Sequence, residues 1–541
     1  MKNFAALFKN LDCTNKTSAK IRHLEEYFKS TRADDCAWAL YLLGGQKIKR
    51  LLGPRMLALI AQKYAGIPDW LFEECYETVG DLAETIALVL PQCETSINYR
   101  LSEVLGNLLK ISQHGSESNP EFHILNFWKQ SANLERFLFN KVITGGFRVG
   151  VSRQLVSKAI SNSFQIPVEV IQQRLMGSWE PTEEFFHQLT SKESTQDDSS
   201  KPLPFCLAHP LQEDCSSLGD HSNWIAEWKW DGIRAQFVRD QNQLNIWSRG
   251  EELLTENFPD LVRPAMKLPE NTILDGEILP WDGTKILRFQ DLQKRINRKN
   301  PSEKFLDQNK ACYVAFDVLR LKNQDLTNTP LKTRKEMLYE LLPQGNQHII
   351  SVAESLRHDS WEELKLLRNQ SRTLGVEGLM LKDKEGKYTP GRVTGNWWKW
   401  KVEPYSVDAV LIYAQSGHGR RASLYSDYTF AVWDNENLVP FAKAYSGLTD
   451  SEIGKVDKFI RQNTLEKFGP VRSVKPELVF EIAFENIQIS KRHKCGVAVR
   501  FPRILKWRTD KKPCDADKLE HLKSLIYEKQ PLLRLRSNCH E

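Results

Sequence analysis

The chain has 541 residues and a formal charge of +6, with 41% hydrophobic and 27% charged residues. Such a length suits two to four domains with sizeable cores, and the composition is that of a soluble globular protein. The mild positive charge allows a nucleic-acid partner without demanding one, because local clustering of cations decides phosphate binding. Ten cysteines are scattered with no Cys-x-x-Cys pair to begin a zinc site, and they read as reduced thiols. The apolar run in Met1 to Lys9 breaks too early for a signal peptide, and no run is long enough to span a bilayer, so no membrane association and a cytoplasmic location are expected.

Residues 1 to 190 read as a helical domain. Phe4, Leu7 and Phe8 fit helical spacing, as do Trp38, Tyr41 and Leu42, and Leu105, Leu108 and Leu109. Two glycine turns carry cations: Gly44-Gly45-Gln46-Lys47-Ile48-Lys49-Arg50, and Lys141 to Gly150 with Gly145, Gly146 and Arg148. Close-approaching amides beside cations suit a DNA phosphate backbone. A helix C-cap flanked by solvated lysines explains each turn equally well.

Residues 191 to 201 form a polar linker that ends at Lys201-Pro202. From 202 to 403 strand-like runs (Ala311 to Leu319, Glu377 to Lys382) alternate with helical ones (Leu261 to Met266, Ser360 to Leu374), which predicts an α/β or α+β domain. From 404 to 541 the character is β, with Phe480, Ile482 and Phe484 on an inner face, as in a small barrel. Arg492 and Lys494 lie in a basic segment, Gln488 to Gly496, that reads as a backbone-following surface or a solvated loop.

The stretch Glu227-Trp228-Lys229-Trp230-Asp231-Gly232-Ile233-Arg234 organises the chain. If it is extended, Glu227, Lys229 and Asp231 share one face and Trp228 and Trp230 the other. Alone, Lys229-Trp230-Asp231-Gly232 reads more readily as a surface lysine paired with Asp231 ahead of a glycine turn. After it come Ser248-Arg249-Gly250, Leu274-Asp275-Gly276-Glu277-Ile278, Ala315-Phe316-Asp317-Val318-Leu319, Glu377-Gly378-Leu379-Met380-Leu381-Lys382, Trp397-Trp398-Lys399-Trp400-Lys401, and Arg500 through Lys511. This ordered set, from about Pro202 to Lys511, resembles the nucleotidyltransferase motifs of ATP-dependent DNA ligases, including bacterial ones with an N-terminal helical DNA-binding domain. Trp400 and Trp507 stand where that pattern is usually aliphatic.

The resemblance implies a multi-domain architecture: an α-helical N-terminal domain, an α+β nucleotidyltransferase (adenylation) domain with antiparallel sheets, and a C-terminal β-barrel OB-fold. It implies Lys229 as the nucleophile that takes AMP from ATP. Arg234, Lys399 and Lys401 would lower its pKa and hold the α-phosphate, since like charge disfavours an ammonium. Glu277 and Glu377 are hard oxygen ligands for Mg²⁺. Glu227 would accept from the adenine amino group, Phe316 and Met380 would sandwich the base, Arg249 would reach the ribose or DNA phosphate, and Lys382 the nucleotide phosphates. Arg508 and Lys511 would orient the leaving pyrophosphate. Arg420 and Arg421, in a basic run, are assigned to DNA contact. The implied partner is nicked duplex DNA, encircled by a monomer, and the implied setting is DNA repair in a bacterial cytoplasm or nucleoid. An RNA ligase or capping enzyme, an NAD-dependent ligase and an inert nucleic-acid-binding protein are the competing readings. Motif spelling and the helical domain weigh against the first, the missing four-cysteine zinc module against the second, and the intact Lys229, Glu277, Glu377, Lys399 and Lys401 against the third.

Overall fold

The apolar triplets of the first third lie on helices. In the computed structural model, helix Lys2–Asp12 buries Phe4, Leu7 and Phe8, Ala33–Leu43 buries Trp38 and Leu42, and Leu101–His114 buries Leu105 and Leu108. The structure describes the chain apart from residues 15, 47, 49–51, 94–96, 115–118, 146, 148, 178, 194–199, 297, 346, 418–423 and 528–541. By their contacts the described residues fall into two units, one of residues 1–159, 181–186 and 404–541, the other of 160–180 and 187–403.

The second unit carries ten strands: β1 (His209–Pro210), β2 (Trp224–Trp228), β3 (Ile233–Arg239), β4 (Leu244–Ser248), β5 (Thr272–Pro280), β6 (Ala311–Leu321), β7 (Gln324–Asp325), β8 (Ile350–Val352), β9 (Gly378–Asp383) and β10 (Trp397–Lys401). They form two largely antiparallel sheets, ordered β1-β10-β9-β2 and β4-β3-β5-β6-β7 with β8 beside β6. Alternation along the strands gives each sheet two faces. Outward, Ala226, Leu379, Leu381 and Trp400 of the first sheet pack on Trp361 and Leu364. Ala235, Phe237, Leu274, Ile278 and Tyr313 of the second pack on Leu261, Leu292 and Leu338 from three helices. Each buried leucine or phenylalanine contributes about 1.5–3 kcal/mol. Inward, Val238, Ile273, Leu319 and Phe316 of the second sheet pack with Trp397 and Met380 of the first, so the polar inner residues lie between the two sheets.

The expected run from Trp224 to Asp231 ends as a strand at Trp228. Gly232 crosses so close over β5 that a Cβ there would stand 2.4 Å from the Ile278 carbonyl oxygen. The turn redirects the chain, so Trp230 does not join Trp228 but packs with Leu279 and Trp281.

In the first unit, the C-terminal strands are β11 (Tyr405–Ser416), β12 (Tyr425–Asp434), β13 (Asn437–Ala444), β14 (Thr464–Phe468), β15 (Val471–Val474), β16 (Val479–Phe484), β17 (Asn486–Ile489), β18 (Val497–Arg500) and β19 (Arg503–Trp507). Their main sheet runs β13-β12-β11-β15-β14, with β16 joining β11 to β19. Register shifts at Leu411/Tyr413, Gln415/Ser416, Phe430/Ala431 and Glu481/Ile482 bend it into the half-barrel of an OB-fold. Phe480, Ile482 and Phe484 line its interior, as their alternation predicts.

Candidate active site

Strand register assembles the core of the site. Glu227 pairs with Met380, which pairs with Lys399; one step on, Lys401 pairs with Gly378. Lys229 extends this ladder beyond β2, its N–H donating to the Gly378 carbonyl at 2.9 Å and its carbonyl accepting from the Glu377 N–H at 2.8 Å. Paired residues share a face. Glu227, Lys229, Met380, Lys382, Lys399 and Lys401 therefore line one side, while Trp228, Trp398 and Trp400 pack on the other.

Gly378 is the gap in that row. Its φ is +140°, and a Cβ would lie 2.3 Å from the Trp400 carbonyl oxygen. Beside it, Lys229 Nζ donates to Glu377 Oε2 and Lys401 Nζ stands 3.2 Å from the same oxygen. Burial opposes ionisation of Glu377, and Lys229 and Lys401 outweigh it, so the carboxyl titrates below its ordinary range. Burial, followed by Lys401, Arg392 and Lys229, depresses Lys399. Two lysines thus share one carboxylate oxygen, and Lys399 feels the charges of all three.

The second sheet supplies the facing wall. Glu277 is opposite Arg234 in register, and burial pushes its carboxyl up to about 7 even against the charges of Lys229 and Arg234. A carboxylate so undercompensated, beside Glu377, is a site where a divalent cation would fit, with substrate phosphates completing a hard-oxygen shell. Among the described residues no group of three or more His, Cys, Asp or Glu side chains forms a self-sufficient metal site.

Arg234 departs from expectation. Its Nε and Nη2 hold Asp275 at 3.1 and 2.7 Å, and its Nη1 donates to the Cys206 carbonyl at 2.6 Å. Tyr388 also donates to Asp275, at 2.6 Å. The guanidinium is spent on Asp275, a buried acid of a motif otherwise read only for Glu277, and it is not a free phosphate ligand.

Lys382 is likewise redirected. Its Nζ stands 2.6 Å from Glu227 Oε2 and over the rings of Phe316 and Trp397, at 4.1 and 4.4 Å. The other Glu227 oxygen accepts from Lys335 at 2.5 Å, and Lys335 also donates to the Ala353 carbonyl at 2.7 Å. All three side chains are at most 4% exposed. Burial disfavours the Glu227 charge, and the two lysines more than offset this, holding it below the usual glutamate range. Lys335 escaped the sequence reading. Its only signal is a place beside Arg334 on helix Leu331–Leu341, where an exposed lysine is the ordinary case. Met380 and Phe316 are half-buried and pack against the same apolar cluster, and Arg249 is exposed on the turn after β4.

In the other unit, Arg508 and Lys511 converge on Asp408. Arg508 Nη1 lies 3.1 Å from both Asp408 oxygens, and Lys511 Nζ donates to Oδ2 at 2.5 Å. Arg492 and Lys494 are exposed in the turn between β17 and β18. Lys141 is not free for phosphate: its Nζ is paired with Asp81, and it is only 13% exposed. Gly145, at φ +71°, caps helix Asn133–Thr144, the alternative left open for that turn. Lys47, Lys49, Arg50, Gly146, Arg148, Arg420 and Arg421 lie outside the described residues.

The chain is similar to known proteins in sequence and in fold. Residues 1–161 match the family described as DNA ligase N terminus, 206–401 the ATP dependent DNA ligase domain, and 421–511 the ATP dependent DNA ligase C terminal region. A probable DNA ligase of Koribacter versatilis is 32% identical over 547 residues, covering 96% of this chain and 95% of its own length. A DNA ligase of Thermococcus fumicolans is 26% identical over 548 residues, covering 96% and 97%. The solved structure Pmar-Lig_PreS3 shares the fold, with a TM-score of 0.60 at 17% identity over 93% of this chain and 99% of that one.

Proposed function

The chain belongs to the ATP-dependent DNA ligases, enzymes that form phosphodiester bonds, and on that premise we propose that it seals nicks in duplex DNA through AMP carried covalently on Lys229. The supporting observation is the convergence of Lys229 and Lys401 on one Glu377 oxygen, with Lys399 alongside.

In the first transfer, Lys229 Nζ sheds a proton and attacks the α-phosphorus, a P–N bond forming as the bond to pyrophosphate breaks. That proton leaves to solvent, and Glu377 orients the Nζ through their hydrogen bond. Lys399 and Lys401 offset charge on the α-phosphate, a stabilisation that grows towards the transition state. The nick's 5′-phosphate oxygen then displaces Lys229 from AMP, and the 3′-hydroxyl displaces AMP, closing the backbone. Splitting the condensation into steps is what covalent catalysis supplies. Mg²⁺, held by Glu277 and Glu377, would supply positive charge at the phosphate oxygens. Phe316 and Met380 would flank the adenine, and Glu227, oriented by Lys335 and Lys382, would accept from its amino group.

The reading extends to domains at 1–190, 202–403 and 404–541 with a 191–201 linker between the first two, to a monomer closing round DNA, and to a cytoplasmic repair role. Family likeness supports these. Incubation with Mg²⁺ and ATP labelled on the α-phosphate, followed by a chase with nicked DNA, tests the proposal. A protein-bound label discharged as the nick closes is expected. Discharge by an all-RNA nick but not by DNA would overturn the substrate.

A further inference from the structure

Arg508 and Lys511 are committed before any nucleotide arrives. All three guanidinium nitrogens of Arg508 are taken: Nη1 lies 3.1 Å from both oxygens of Asp408, while Nε and Nη2 donate to Asp510 at 2.9 and 2.7 Å. Lys511 Nζ shares Asp408 Oδ2 at 2.5 Å. Two cations face two anions, so this quartet carries no net charge and offers a polyphosphate little attraction. Asp408 is only 8% exposed and lies on β11, away from the motif in sequence. Its main chain is fixed independently of its carboxylate, by a 2.8 Å bond from its N–H to Asp517 Oδ2 and a second from the Asp517 N–H to its carbonyl.

A carboxylate oxygen bound to an arginine and a lysine at once occupies the place a phosphate oxygen would take, with the same charge-assisted geometry. We infer that Asp408 is a positioning residue that competes with the ATP polyphosphate, holding Arg508 and Lys511 on the C-terminal sheet until nucleotide displaces it. The inference rests on the proposed role of these two cations at the leaving pyrophosphate. It sets the affinity for ATP in the first transfer and leaves the last untouched.

The test compares wild type, Asp408→Asn and Asp408→Glu for adenylylation over a range of ATP concentrations, and for sealing of a nick that already carries AMP and needs no ATP. Removing one competing charge from Arg508 and Lys511 is expected to lower the half-maximal ATP concentration of Asp408→Asn by about two- to fivefold. Asp408→Glu, which keeps the charge, is expected to stay near wild type, and all three proteins to seal the pre-adenylylated nick alike. A raised or unchanged ATP requirement in Asp408→Asn would overturn the inference and make the carboxylate a scaffold for the cations. Equal effects of both substitutions, or loss of pre-adenylylated sealing, would overturn it too. Wild-type protein that takes no label would instead contradict the functional reading itself.

Discussion

Lys229 and Lys401 reach the same oxygen of Glu377 across a residue that has no side chain, Gly378. The nucleophile, its neighbouring cation and the carboxylate between them are thus placed by backbone register, and the glycine lets β9 lie against β10 where a Cβ would meet the Trp400 carbonyl oxygen.

Gly378→Ala is predicted to fail on two counts. The φ of +140° alone costs a residue with a Cβ on the order of 1–3 kcal/mol, and that Cβ would meet the Trp400 carbonyl oxygen at 2.3 Å. Thermal unfolding should fall, and adenylylation should fall further than the loss of folded protein accounts for. A variant with wild-type stability and labelling would contradict the register account.

Lys399→Ala separates chemistry from stability. The side chain is half-buried and has no assigned structural partner in the site. Adenylylation is predicted to drop about 10²-fold or more, the scale of losing one preorganised charge at a transferring phosphate, with an unchanged melting temperature.

Arg234 and Asp275 behave oppositely. Asp275 is fully buried, and Asp275→Asn leaves the Arg234 guanidinium without its charge partner. A loss of about 3–5 kcal/mol in unfolding free energy is predicted. Denaturant titration checks it; a stable variant with impaired ATP binding would restore Arg234 as a phosphate ligand.

Glu227 is an acid depressed in the folded state. Its stabilisation is fully present above the unfolded glutamate value of about 4.3, and is lost as pH falls through the lower folded value. Wild type should therefore weaken as pH falls below about 4. Glu227→Gln should be less stable at neutral pH, where Lys335 and Lys382 lose their shared partner, and should lack this part of the acid limb. Melting curves across that range decide it.

The sequence carried the site wherever function follows strand alternation. The period of two in Trp398-Lys399-Trp400-Lys401 sends tryptophans outward and lysines inward, and the fold does the same. It fails where a side chain is claimed by a partner remote in the chain. Lys335 is 108 residues from Glu227, and Lys141 is 60 from Asp81. The Asp408 hold on Arg508 spans 100 residues. No local pattern encodes such pairings, which exist only once sheets and helices have packed. The end of β2 at Trp228 was missed for a related reason: Gly232 turns the chain because β5 lies beneath it.

The central claim is that Lys229 carries AMP. Its most direct test is mass-spectrometric mapping of the AMP-bearing peptide after incubation with ATP and Mg²⁺, using protein first stripped with pyrophosphate. The account predicts one adduct, on Lys229, absent from Lys229→Ala. An adduct on Lys399, Lys401 or any other residue, or nick sealing that persists in Lys229→Ala, would contradict it.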